Sequence, residues 1–239
     1  MFELIHVAGG SFIMGSDEFE GNEGPVHEVS LHGFYIGKYP IQQYEWFEVF
    51  QREHSYNKGE RYPVEQITWL ESIAFCNKLS LSSNLNPCYQ RELNYIKYYK
   101  NRNGYRLPTE AEWEFAALGG NSSQAYLYSG SDNLDEVGWY KDNSDKHTHP
   151  VGELLPNEAG IYDMSGNVYE MCWNVFMDYK KGKQQDPIGE SECSLSERHT
   201  LRGGNCFGFA NRCRIKSRKI GLYKDFRQDF VGFRIARNE

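Results

Sequence analysis

YRLPTEAEWEFAALGG, residues 105–120, reads as a helix signalled at both ends. The Thr109 side chain can cap the first turn, and Glu110 and Glu112 sit where the positive end of the helix dipole favours carboxylates. Trp113, Phe115 and Ala116 supply the packing face, and Gly119 ends the run. Upstream, TWLESIAFCNKLSL (68–81) repeats the pattern, with Thr68 and Glu71 at capping-box spacing and Trp69, Ile73 and Phe75 or Cys76 toward a core. In IQQYEWFEVFQRE (41–53), Trp46, Val49 and Phe50 fall on one helical face. Residues 11–15 and 26–37 alternate as half-buried strands do, and shorter strand-like runs follow near 161–176, 199–204 and 230–236. Helices early and irregular β-structure late predict an α+β fold. With no linker, repeat or low-complexity tract, residues 1–239 are expected to form a single domain.

Composition narrows the function. The 239 residues are 39% hydrophobic, 25% charged and 15% aromatic, with a formal net charge of −7. That charge argues against general nucleic-acid binding. No apolar run reaches 18 residues, so no transmembrane segment is expected. MFELIHVAGG lacks the basic and apolar regions of a signal peptide, which leaves either a cytoplasmic protein or one whose leader has been replaced. The six cysteines show no CxxC spacing, so they are expected to be free and buried rather than zinc-bound. HExxH, GxSxG, GxxxxGKS and GxGxxG are all absent. His147 and His149 lack a third clustered ligand, so a solvated loop is the simpler reading. The RGG at 202–204 signals backbone geometry.

Two stretches carry more. PNEAGIYDMSGNVYEM (156–171) gathers oxygen donors: the side chains of Asp163 and Glu170 and the carbonyls of Gly166 and Val168. Such a set suits Ca²⁺. It equally suits a turn in which Gly166 and Asn167 take positive φ and Glu170 bonds backbone amides. Residues 205–230 combine Phe207, Phe209, Tyr223, Phe226 and Phe230 with Arg212, Lys216, Lys219, Lys224 and Arg227, the side-chain types that dominate binding hot spots. No single period fits the run, so at least four of these side chains are expected to be exposed. VGFRIAR (231–237) is expected to pin the run to the core as a strand with Val231, Phe233 and Ile235 on one side.

Taken in order, GSFIMGS, EGPVHEVSLHGFYIGKYPI, PVEQITWLESIAFCNKLS, YRLPTEAEWEFAALGG, VGELLPNEAGIYDMSGNVYEM and LRGG…CR…GFRIAR resemble the formylglycine-generating-enzyme (sulfatase-modifying-factor) family over nearly the whole chain. The resemblance implies a C-type-lectin-like fold and structural calcium at Asp163, Gly166, Val168 and Glu170. In the enzymes, two cysteines five apart downstream of RGG serve copper-dependent oxidation of a substrate cysteine. Here the second position is Cys213 but the first is Gly208, and Cys206 lies two residues early. The pair is incomplete, so neither catalysis nor a catalytic cofactor is expected; a divergent oxidase using Cys206 and Cys213 is the alternative. The sulfoxide-synthase branch is not matched, because its iron-binding helical domain and three-histidine motif are missing.

The family frame survives as Arg202, Gly203, Gly204, Ala210, Cys213, Arg214, Arg218, Gly232, Phe233 and Arg234, with unusual residues between. This is similar to the variable region of proteins diversified by retroelements, in which template adenines are copied with errors. From AAC or AAT codons, Phe207, Phe209, Arg212, Ser217, Ile220, Leu222, Tyr223, Asp225, Phe226, Asp229 and Phe230 are all reachable; Lys216, Lys219, Lys224 and Gln228 are not. These eleven reachable positions, with Cys206, Gly208 and Asn211, are the predicted ligand-binding residues within a variable region at 202–236. The resemblance implies a macromolecular ligand, a protein rather than nucleic acid, and cell-surface display through a segment absent from this chain, with a cytoplasmic location as the alternative.

Overall fold

The computed structural model describes residues 2–221, 223 and 226–239. In chain order its main elements are β1 (Leu4–Val7), β2 (Gly10–Met14), β3 (His27–Leu31), β4 (Phe34–Gly37), α1 (Gln43–Phe50), α2 (Trp69–Ser82), β5 (Tyr89–Arg91), β6 (Tyr95–Tyr98), α3 (Glu110–Ala117), α4 (Leu134–Val137), β7 (Tyr169–Val175), β8 (Gln184–Gln185), β9 (Glu192–Ser194), β10 (His199–Arg202), β11 (Arg218–Ile220), β12 (Val231–Gly232) and β13 (Ala236–Asn238). The strands form small sheets ordered β1-β4-β13, β11-β10-β7-β12, β2-β3-β8 and β5-β6-β9. Most pairs are antiparallel; β12 runs parallel to β7, and β8 parallel to β3. The fold is α+β, as the sequence predicts.

The helix signals hold. Thr68 and Glu71 exchange hydrogen bonds at the start of α2, and Thr109 and Glu112 do the same for α3. Gly119, at φ +84°, follows the end of α3. One core cluster joins α1 and α2 to β7 and the C-terminal segment. In it Trp46 stacks on Phe75 at 5.5 Å, and Phe75 meets the edge of Phe233 at 5.4 Å. A second cluster packs α3 against β2, β3 and β4 through Trp113 and Phe115.

Two local expectations are corrected. Residues 26–37 form two strands, β3 and β4, separated at His32–Gly33. VGFRIAR is not one strand: Val231–Gly232 joins the sheet of β7 and Ala236–Asn238 the sheet of β4. Val231, Phe233 and Ile235 are buried, but so are Gly232, Arg234 and Ala236. The chain crosses between the two sheets at Arg234, whose guanidinium is held by the carbonyls of Gly37 and Tyr162 and by Glu170. A polar side chain locked on every side interrupts the alternation of a simple strand.

Buried ion pairs tie the C-terminal third to this framework. Arg234 grips Glu170 through two hydrogen bonds of 2.6 Å. Arg218 grips Glu110 at 2.5 and 2.8 Å, and Arg214 grips Glu23 at 2.9 and 2.7 Å. Arg202 reaches Glu114 and lies 3.4 Å from Glu110, and Arg106 holds Glu112 at 2.6 and 2.7 Å. All five arginines are buried. Burial raises the proton affinity of Glu110, but Arg218 and Arg202 outweigh it, and its pKa lies below the usual value.

Glu65 is the counter-example. It sits where Gln66 N–H donates to the Gln228 carbonyl, beneath the C-terminal segment. One carboxylate oxygen accepts from Asn57 N–H at 2.8 Å, while the other is buried with no partner among the described residues. Burial pushes its pKa up to about 7.

Replacing Glu170 by Ala strands the Arg234 guanidinium in the core and should cost about 3–5 kcal/mol in urea unfolding. Glu65 should act in the opposite direction. Its carboxyl in the folded protein keeps a proton that the unfolded chain releases as pH rises from about 4.5 to 7, so its contribution falls over that window. Unfolding curves of Glu65→Gln measured across it should decline less with pH than those of the parent. Glu110, with a depressed pKa, contributes stability that is present above the unfolded value and lost on acidification below it.

Candidate functional site

The segment from β10 to β13 sorts by burial. Of the frame residues, Arg202, Gly203, Gly204, Cys213, Arg214, Arg218, Gly232, Phe233 and Arg234 are buried, and Ala210 is half-buried. Gly204 shows why the frame is strict: at φ +76°, a Cβ there would lie 2.5 Å from the Cys213 sulfur. Between frame residues the chain turns outward. Phe209 is 61% exposed, Tyr223 60%, Phe226 57% and Phe207 37%. Four aromatic side chains therefore face solvent, as expected, and Phe230 is half-buried with its ring 5.6 Å from Phe207, edge to face.

The exposed residues rest on defined supports. Phe207 N–H donates to the Asn205 side chain at 2.8 Å. Lys141 donates its backbone N–H to the Gly208 carbonyl and places its ammonium 4.1 Å from the Phe209 ring centre. Arg212 pairs with Glu20 at 2.5 Å, and Arg198 lies 5.3 Å from the Tyr223 ring. Arg227 bonds the Gln66 carbonyl and Glu71. Asn211 is exposed; Gly208, Ile220 and Asp229 are half-buried. Leu222 and Asp225 lie outside the described residues. Lys141, Glu20 and Arg198 are additions that sequence reading missed, since nothing local to them signals a contact with residues 207–223.

Two predicted surface residues are not at the surface. Cys206 is buried because its N–H donates to the Asn167 carbonyl and its carbonyl accepts from the Ser144 hydroxyl at 2.6 Å. Ser217 is buried in the turn closed by its N–H on the Arg214 carbonyl, just before β11. Both belong to the frame.

All six cysteines are free and buried. Burial pushes the thiols of Cys206 and Cys213 up to about 12. Cys213 packs in a small cluster with Tyr128, Leu134 and Val137. A thiol in such surroundings is neutral at physiological pH and a poor metal ligand. His147 and His149 are not simply solvated: His149 stacks on Trp139 at 3.8 Å, and a ring nitrogen of each approaches the Ser144 carbonyl.

The four residues expected to hold calcium are close in the chain but otherwise engaged. Both Glu170 oxygens accept from Arg234, and one also accepts from the Trp113 indole at 2.7 Å. The Asp163 oxygens accept from Gly152 N–H and the Asn167 amide, and burial pushes its pKa up to about 6. Gly166 and Asn167 take positive φ, and a Cβ on Gly166 would lie 2.3 Å from the Trp139 carbonyl. Val168 is buried beside Gly232. In this arrangement the set does not fit a calcium ion: a guanidinium already neutralises Glu170, and Asp163 is a buried hydrogen-bond acceptor. Among the described residues no cluster of three or more His, Cys, Asp or Glu side chains is placed to hold a metal. No helix among them is long and apolar enough to cross a membrane.

Comparison with known proteins agrees with this architecture. The chain matches the sulfatase-modifying factor enzyme 1-like domain over residues 1–239. It is 40% identical over 203 residues to the chaperone protein LppX of Paenibacillus barcinonensis, covering 72% of this chain and 71% of that one. It is 27% identical to the inactive C-alpha-formylglycine-generating enzyme 2 of Mus musculus, over 98% of this chain and 85% of that one. Among solved structures, Treponema denticola variable protein 1 superposes with a TM-score of 0.89 at 30% identity, covering 100% of this chain and 95% of that one. The chain belongs to the formylglycine-generating (sulfatase-modifying-factor) family and has its C-type-lectin-like α+β fold.

Proposed function

We propose that this protein binds a macromolecular ligand, a protein, through the outward residues of 207–230 and carries out no oxidation at its cysteines. The observation that carries the reading is the separation of roles within one segment: four exposed aromatic side chains stand between buried residues locked by ion pairs. Exposed rigid aromatics on a fixed backbone gain contact area at low entropic cost. Phe207, Phe209, Tyr223 and Phe226 supply area; Asn211, Arg212 and Asp229 supply orientation, with Gly208, Ile220 and Phe230 as half-buried support. Leu222 and Asp225, also compatible with asparagine template codons, complete the proposed set.

The neutral, buried thiols support a non-catalytic role, and a mouse relative is itself an inactive formylglycine-generating enzyme. Similarity to a Treponema variable protein supports diversification of this face. Display at the cell surface suits such a function.

The reading is tested by exchanging the face while keeping the frame. Phe209→Ala and Phe226→Ala should each leave stability within about 0.5 kcal/mol of the parent, because both are exposed. Each should weaken retention of a ligand captured from target-cell extracts at least about tenfold, the loss typical of a hot-spot residue. A large loss of thermal stability would instead assign these rings to the core. Titration of the reduced protein with Cu(I) should show no tight stoichiometric site; binding lost in both Cys206→Ser and Cys213→Ser would restore the oxidase. Excess EDTA should leave the melting temperature unchanged, and a fall reversed by Ca²⁺ would show that calcium displaces the Glu170–Arg234 pairing.

A further inference from the structure

A large cleft lies outside the aromatic side chains of 207–230. It measures about 870 Å³ and runs between β2, the loop 15–26, the loop 120–132 and residues 214–216. Ile13, Phe19, Val26, Tyr126 and Leu127 line it, and each is a large apolar side chain exposed to solvent. Apolar side chains gathered at a concave site, with a few polar groups among them, suit an apolar ligand segment.

The geometry of β2 specifies the occupant. In the order β2-β3-β8, β2 is an edge strand, paired with β3 from Gly10 to Met14 and with no strand on its other side among those described. Ser11, Phe12 and Ile13 all line the cleft. Side chains of consecutive strand residues point to opposite faces, so three in a row meet one cleft where it runs along the strand's edge. An unpaired edge beside an apolar trough suits an extended peptide, which adds as a strand and sets alternate side chains into the trough.

Charge narrows it further. Asp17, Glu18 and Asp132 line the cleft. Asp17 and Asp132 each accept one backbone N–H, from Val26 and Leu127, and among the described residues none of the three forms an ion pair. On the basic side, Arg214 is already neutralised by Glu23, which leaves Lys216. We propose that this cleft binds an extended segment of a partner protein, apolar in its middle and flanked by lysine or arginine, by strand addition to β2.

The test uses a labelled peptide, acetyl-Lys-Val-Phe-Val-Lys-amide, read by fluorescence anisotropy against the full chain. Its companions are the same peptide with Glu at both ends and one N-methylated at alternate amides. Saturable binding is expected for the basic peptide. At least about tenfold weaker binding is expected for the acidic peptide, for the N-methylated peptide, and for the basic peptide on Ile13→Ser, whose exposed position keeps the fold intact. Phe209→Ala should leave the affinity within about twofold, which separates this site from the aromatic face. No saturable binding, equal binding of all three peptides, or an unaffected Ile13→Ser overturns the proposal. Weakening by Phe209→Ala alone would move the peptide to the other site.

Discussion

The structure depends on the pairing of buried arginines with buried glutamates. A guanidinium in an apolar interior is tolerable only when a carboxylate meets it with good geometry, and removal of either partner leaves an uncompensated charge. This makes the pairs weak as a source of net stability but strict as a constraint on arrangement. Helix α3 supplies three of the carboxylates. Glu110 and Glu114, four apart, share one helical face and meet Arg218 and Arg202; Glu112, between them, points elsewhere and meets Arg106 while closing the helix cap. One eight-residue helix thereby fixes β10, β11 and, through Arg106, the start of its own approach.

Much of this helix was legible in the sequence, because caps and packing faces are local. Thr68, Thr109 and Gly119 act as their neighbours predict. The partners of Glu110 and Glu114 were not legible. They lie about a hundred residues away, and carboxylates near a helix start already have a sufficient local explanation in the dipole. The same limit governs 231–237. Its alternating pattern describes a strand, but the crossing between sheets is dictated by Arg234 meeting Glu170, a contact with no local signal.

The candidate face was legible in outline and misjudged in detail. Composition identifies the segment because a run rich in aromatics and arginine without a helical or strand period must project many side chains from loops. It does not tell which ones. Cys206 and Ser217 lie between outward-facing residues, and the hydrogen bonds of their backbone hold them inward. The donors expected to hold calcium meet a related limit. Asp163, Gly166, Val168 and Glu170 have the donor types of a hard-cation site, but Arg234 supplies a positive charge from the other end of the chain and satisfies Glu170 first.

This division explains how a surface could change without loss of the fold. Stability effects of distant, non-contacting residues are close to additive, whereas residues that share a network are coupled. The frame arginines and glutamates form such networks, while Phe209, Tyr223 and Phe226 project outside them. Replacements at the outer positions therefore meet solvent or ligand, and replacements at the frame meet a buried charge. Arg212 stands between the two classes. Exposed enough to meet a ligand, it is also bonded to Glu20 in the loop that walls the large cleft, and Arg214 ties the same loop through Glu23. Residues 212–214 are thus the physical link between the aromatic face and the cleft, and a substitution at Arg212 changes the anchoring of the loop 15–26 as well as the chemistry of the face.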